Sequence, residues 1–167
     1  AKEFIKLAFE ISERFDTPVF LRSTTRVSHS KSVVTLEAPK TMEDRTAIRY
    51  DAEKYVMVPM NARKRRVEVE KRMRLLETFA ESFPENRMEI NHPEVGIITA
   101  GMPYHYAKDV FPNYSYMKLG MVHPLPVGLI REFASRVRKL YVLEELDPFI
   151  EEQVRALGIE ATGKAIF

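Results

Sequence analysis

The stretch from Val95 to Glu151, VGIITAGMPYHYAKDVFPNYSYMKLGMVHPLPVGLIREFASRVRKLYVLEELDPFIE, decides the fold of this 167-residue chain. Ile97-Ile98-Thr99-Ala100 is a short, largely apolar run ending at Gly101. Tyr116-Met117-Lys118-Leu119 ends at Gly120, and Leu140-Tyr141-Val142-Leu143 ends at Glu144 and Glu145. Runs of that length bounded by turn signals predict buried parallel strands. Between the last two, Ile130, Phe133, Ala134 and Val137 share a helical face, and Pro126 suits a helix's first turn. A last helix is punctuated by Asp147 as cap, Pro148 at its first position, Ile150, Val154 and Leu157 on one face, and Gly158 at its end. Strands alternating with helices through short joins imply an α/β fold with a parallel, doubly wound open sheet.

Upstream, Phe4, Leu7, Ala8, Ile11 and Phe15 recur at helical spacing over residues 2 to 15, and Asp16-Thr17-Pro18 stops that helix. A strand is expected over Val19 to Arg22, followed by the polar loop Ser23 to Ser30. A loop so placed can face a ligand, because open α/β sheets bind ligands beyond the carboxyl ends of their strands. Its hydroxyls can equally serve only to satisfy backbone groups in a turn. One helix and one strand bury no core of their own, so residues 1 to 37 read as the tail of a larger α/β domain and the chain as a fragment. Residues 38 to 52 read as a linker, Tyr55 to Val58 as an apolar run ended by Pro59, and residues 61 to 83 as a long helix; 38 to 90 thus joins the tail to an α/β domain over 91 to 167.

Composition narrows the function classes. A formal net charge of +2 gives no reason to expect nucleic acid or an anionic membrane as partner. The basic cluster Arg63 to Arg66 is matched by Glu68 and Glu70 at helical spacing, which explains it as helix surface pairs. Without Cys the chain carries neither a disulfide nor a thiolate-bound iron-sulfur cluster. No apolar run reaches a membrane span and no signal-peptide order opens the chain, so a cytoplasmic protein is expected. The 30% charged residues and the lone glutamine, Gln153, lean towards a thermophilic source.

Chemistry is sparse. No G-x-G-x-x-G, Walker A or G-x-S-x-G sequence occurs. His29, His92, His105 and His123 lack metal-ligand spacing and read as loop and surface residues. Gly101 and Gly120, each ending a strand, could turn backbone N–H groups towards an anion, though tight packing explains such glycines equally well. Glu144, Glu145 and Asp147 form a carboxylate group that suits a helix N-terminus or a Mg²⁺ ion.

Three ordered stretches carry a resemblance. Phe20 to Ser30 (FLRSTTRVSHS), Tyr55 to Arg65 (YVMVPMNARKR), and Lys118 to Pro126 (KLGMVHPLP) together with Tyr141 to Glu151 (YVLEELDPFIE) resemble the alpha subunit of indolepyruvate:ferredoxin oxidoreductase, of the 2-oxoacid:ferredoxin oxidoreductase family. The resemblance implies a thiamine-diphosphate enzyme with Mg²⁺ and 4Fe-4S clusters that oxidises aryl pyruvates to aryl-acetyl-CoA and reduces ferredoxin. It implies that residues 1 to 37 end a pyrimidine-binding domain and that the following domain is similar to the transketolase C-terminal domain. The remaining domains of the alpha subunit and a beta subunit would be partners. Because G-D-G and cysteine ligands are missing, the isolated chain is expected to be inactive and largely architectural, with no cofactor held within it. Thr24, Thr25, Arg26 and His29 are the residues expected on the substrate or cofactor side, Arg26 pairing a carboxylate or phosphate. A stand-alone module for small anions or protein contacts is the other reading.

Overall fold

The computed structural model describes residues 1–38 and 50–166. The chain divides into two compact units, Ala1–Val69 and Glu70–Phe167.

In the first unit, α1 (Lys2–Phe15) forms as its apolar spacing requires and ends at Asp16, which adopts a left-handed conformation. Lys54 then pairs with Asp16 at 2.7 Å, while Lys6 pairs with Glu37 at 2.7 Å. The expected strand over Val19 to Arg22 is irregular instead. A strand needs a ladder partner for its backbone groups, and the described residues of this unit contain none. Part of the polar loop is helical: α2 (Thr25–His29) starts at Thr24, whose hydroxyl accepts the Val27 N–H. The apolar run after α3 (Ala52–Tyr55) stays irregular, and Val56, Met57 and Val58 are exposed. The long helix is α4 (Pro59–Glu81), beginning two residues earlier than expected at the proline that suits a first turn. Lys64 reaches Glu53 at 3.2 Å, a partner outside its own helix. The expected linker, residues 38 to 52, lies mostly outside the described residues.

The second unit holds the sheet. Its strands are β1 (Arg87–Glu89), β2 (Val95–Ala100), β3 (Ser115–Leu119) and β4 (Lys139–Leu143), in the order β1-β3-β2-β4. β2 pairs in parallel with β3 and with β4, as the three apolar runs predict. The short edge strand β1 pairs antiparallel with β3 and has no counterpart in the sequence reading. Helices α5 (Met102–Val110), α6 (Val127–Ser135) and α7 (Phe149–Ala156) connect and follow the strands. Neighbouring β2 side chains point to opposite faces. Ile97 joins Tyr116 and Ala107 of α5, whereas Ile98 joins Ile130 and Phe133 of α6 and Ile150 and Val154 of α7. Helices therefore cover both faces, which makes the sheet doubly wound. Beyond α7, Thr162 adds a parallel bridge to Tyr141, and the buried Glu151 carboxylate accepts the Lys164 N–H at 2.8 Å.

Candidate functional site

In a sheet wound this way the strands' carboxyl ends open between helices on opposite faces, the usual place for a ligand. Three turns meet that edge here: Gly101 after β2, the segment from Gly120 to Pro126 after β3, and the segment from Glu144 to Pro148 after β4.

Gly101 adopts φ 63° and ψ −136° and precedes α5 without a side-chain cap. A left-handed φ of this kind favours glycine. Gly120 is differently employed. Its N–H and that of Met121 donate to Asn86 Oδ1 at 2.9 and 3.0 Å, and Asn86 Nδ2 donates to Ala80 O at 2.8 Å. The two amides are therefore already satisfied from within. Of the two glycines expected to face an anion, Gly101 alone keeps a turn open to its surroundings, since an added Cβ there would meet nothing within 4 Å. Thr99, two residues before, is fully buried and its hydroxyl finds no hydrogen-bond partner. It faces the α5 side with Ile97 and is closed to solvent, so it offers a ligand nothing to reach.

Of the carboxylates after β4, Glu144 is spent on the helix that follows, while Glu145 and Asp147 are exposed. Glu144 accepts the Ile150 and Glu151 N–H groups at 2.8 and 2.9 Å. It, and not the expected Asp147, caps α7, because its two oxygens can take both orphan donors of the first turn. Pro148 stands just before the helix. The N-terminus of α6 is satisfied from farther away: Glu81 at the end of α4 accepts the Gly128 and Leu129 N–H groups at 2.6 and 2.9 Å. No group of three or more His, Asp or Glu that could hold a metal ion occurs among the described residues.

On the α5 face a polar cluster closes over the sheet. Glu89 accepts the Tyr104 hydroxyl at 2.5 Å and the Lys108 ammonium at 2.6 Å. Burial works against the Glu89 carboxylate, yet the hydrogen bonds from Lys108 and Tyr104 outweigh it and hold its pKa below the ordinary value. The same hydrogen bond, with burial, pushes Tyr104 up to about 12. Burial, with the charges of Glu89 and Tyr114 nearby, lifts Tyr116 to about 12, and its hydroxyl donates to Ala107 O at 2.8 Å and Phe111 O at 2.7 Å. Both phenols are thus held protonated in the fold. Their contribution is complete below the unfolded pKa near 10 and is lost as pH rises towards about 12. Denaturation midpoints measured across that window are expected to fall, and less steeply in Tyr104→Phe.

In the first unit Thr24 caps α2, Thr25 opens it, and Arg26 and His29 lie three residues apart on one face, exposed. A cavity of about 360 Å³ in this unit is lined by Ser12, Asp16, Lys54 and Arg65 among others, and by none of those four loop residues. His92 Nδ1 accepts the Glu94 N–H at 3.3 Å, His105 edges Tyr104, and His123 edges the Phe149 ring. His92 and His123 are exposed in loops, and His105 is exposed on α5.

No family model matches the chain. It is 38% identical over 170 residues to the indolepyruvate oxidoreductase subunit IorA of Archaeoglobus fulgidus, a match covering 98% of this chain and 27% of the relative. The subunit of the same name from Methanothermobacter thermautotrophicus is 34% identical over 162 residues, covering 93% and 26%. The chain thus spans about a quarter of the length of these relatives. The solved 2-oxoglutarate:ferredoxin oxidoreductase from Magnetococcus marinus, with 2-oxoglutarate, coenzyme A and succinyl-CoA bound, is 21% identical over 64% of this chain and 20% of its own, at a TM-score of 0.46.

Proposed function

We propose that this chain is a portion of the alpha subunit of a thiamine-diphosphate-dependent indolepyruvate:ferredoxin oxidoreductase, and that its work there is architectural. The similarity to IorA subunits, continuous over nearly the whole chain, is the observation that carries this reading. The enzyme would be cytoplasmic and would turn aryl pyruvates into aryl-acetyl-CoA; no helix among the described residues is long and apolar enough to cross a membrane.

The cofactors do not fit the donors present. The chain has no Cys for a 4Fe-4S cluster, and no His, Asp and Glu group for Mg²⁺ among the described residues. Both would be held by parts of the enzyme outside these residues. What this chain supplies is surface. Phe20, Val33 and Leu36 are 94%, 101% and 90% exposed. Three apolar side chains so fully in water suit the tail of a domain whose other segments cover them. Further contacts would be made with the beta subunit, while ferredoxin and CoA would engage the complete enzyme.

Within that enzyme the exposed face of α2 would approach substrate or cofactor, Arg26 pairing a carboxylate or phosphate with Thr24, Thr25 and His29 beside it. Arg26→Ala in the assembled enzyme is expected to raise KM for indolepyruvate or CoA by about tenfold, the loss of one charge-assisted pair. Steady-state ferredoxin reduction with unchanged kcat and KM would remove Arg26 from the site.

A further inference from the structure

Among the described residues Glu151, on α7, is the one charged side chain that is buried, at 3% exposure. A carboxylate taken out of water needs partners for its oxygens. Arg155, one turn along α7, pairs with it at 2.8 Å. The remaining contacts come from the segment after the helix. The Lys164 N–H donates to Glu151 Oε2 at 2.8 Å, and Gly163 lies so close that an added Cβ would overlap the carboxylate. Arg155 also donates through Nε and Nη2 to Ala161 O at 3.3 and 3.1 Å. Two side chains of α7 thus grip residues 161–164 at both ends.

The same segment lies along β4. Thr162 N–H donates to Leu140 O at 3.0 Å, and Val142 N–H donates to Thr162 O at 2.8 Å. Because β4 ends the sheet, these bonds cover an edge that another strand could otherwise join. Apolar burial adds little, since Ala161 alone of residues 161–166 joins the core and Thr162 is exposed. A segment held by one bridge and a few polar side chains lies at the low-stability end of a fold and opens without the core. Lys164 carries the grip to the sheet's carboxyl edge. Its Nζ donates to Glu144 O at 2.6 Å, while the Glu144 carboxylate holds the Ile150 and Glu151 N–H groups.

We propose that residues 161–164 are a strap over the β4 edge, that Glu151 is its lock, and that Lys164 ties the lock to the turn after β4. Release of the strap bares the β4 edge and loosens that turn without unfolding the sheet. The inference is independent of the oxidoreductase reading. Its test is hydrogen exchange followed by mass spectrometry in the full-length protein containing this chain. Glu151→Gln is expected to speed exchange in residues 160–166 and at Val142 by about tenfold or more, with 96–100 and 115–119 within about twofold of the wild type. Gly163→Ala, which keeps the charge but crowds it, should do the same, and it decides by the same criterion should Glu151→Gln fail to fold. Lys164→Met keeps its backbone N–H, so it should loosen residues 144–151 while 160–163 stay within about twofold. Strap exchange within about twofold of the wild type in Glu151→Gln and Gly163→Ala would overturn the lock. So would an acceleration spread evenly over β2 and β3, which marks ordinary loss of stability.

Discussion

Replacing Phe133 with alanine is expected to lower stability by about 3–5 kcal/mol, the usual cost of emptying an aromatic position in a core. Phe133 is fully buried where α6 meets the sheet, in one cluster with Ile98, Met117 and Ile130. Its ring also lies against the backbone of β2, because Gly96 has no side chain there: a Cβ at Gly96 would come within 3.0 Å of Phe133 Cζ and 2.8 Å of Val137 Cγ2. Collapse around the lost ring is limited, since rigid strands form one wall. Urea denaturation of the chain reads the change directly. A loss under about 1 kcal/mol would mean that α6 is not seated on the sheet as described.

The second large effect is expected at Gly120. An added Cβ would come within 2.5 Å of Glu85 Cβ and 2.8 Å of Glu85 O. Backbone cannot swing aside as a flexible side chain can, so the turn after β3 must shift away from residues 85 and 86. That shift weakens the two N–H donations to Asn86 Oδ1, leaving a largely buried amide short of partners. Overpacking and lost hydrogen bonds together should cost about 2–4 kcal/mol in Gly120→Ala. The same substitution at Gly101, where φ is 63° and ψ −136° but the space is open, should cost about 1–3 kcal/mol of backbone strain, with no overpacking and no lost hydrogen bond beside it. Finding the order reversed would mean that Asn86 does not clamp the turn.

These two sites also mark what sequence could and could not reveal. β2, β3 and β4 were legible because buried parallel strands must be apolar on both faces, and α6 and α7 because their core faces repeat at helical spacing. β1 was not, for Arg87-Met88-Glu89 is three residues with two charges, and only its pairing with β3 makes it a strand. Val19 to Arg22 erred the other way: the local composition suited a strand, but no ladder partner follows among the described residues. At the carboxyl edge the turns were visible as glycines and prolines, while what fills them was not. Asn86 is 34 residues from Gly120 and Glu81 is 47 from Gly128, separations over which no local pattern operates. Leu146 carries no signal of its left-handed φ of 62°, since leucine is normally avoided there.

The first unit was harder to read for a related reason. Its apolar residues at 20, 33 and 36 are exposed, so patterning that ordinarily reports a core has no core to report. Under the proposed reading their counterpart lies in the remainder of the subunit, and a core shared between distant segments cannot be inferred from one of them.

The most direct measurement is ferredoxin reduction with indolepyruvate, CoA, thiamine diphosphate and Mg²⁺, comparing this 167-residue chain with the full-length alpha subunit assembled with its beta subunit. The expected result is turnover by the assembly and none by the chain. Turnover by the chain alone, or an assembled enzyme that leaves indolepyruvate untouched, would contradict its placement as an architectural portion of that enzyme.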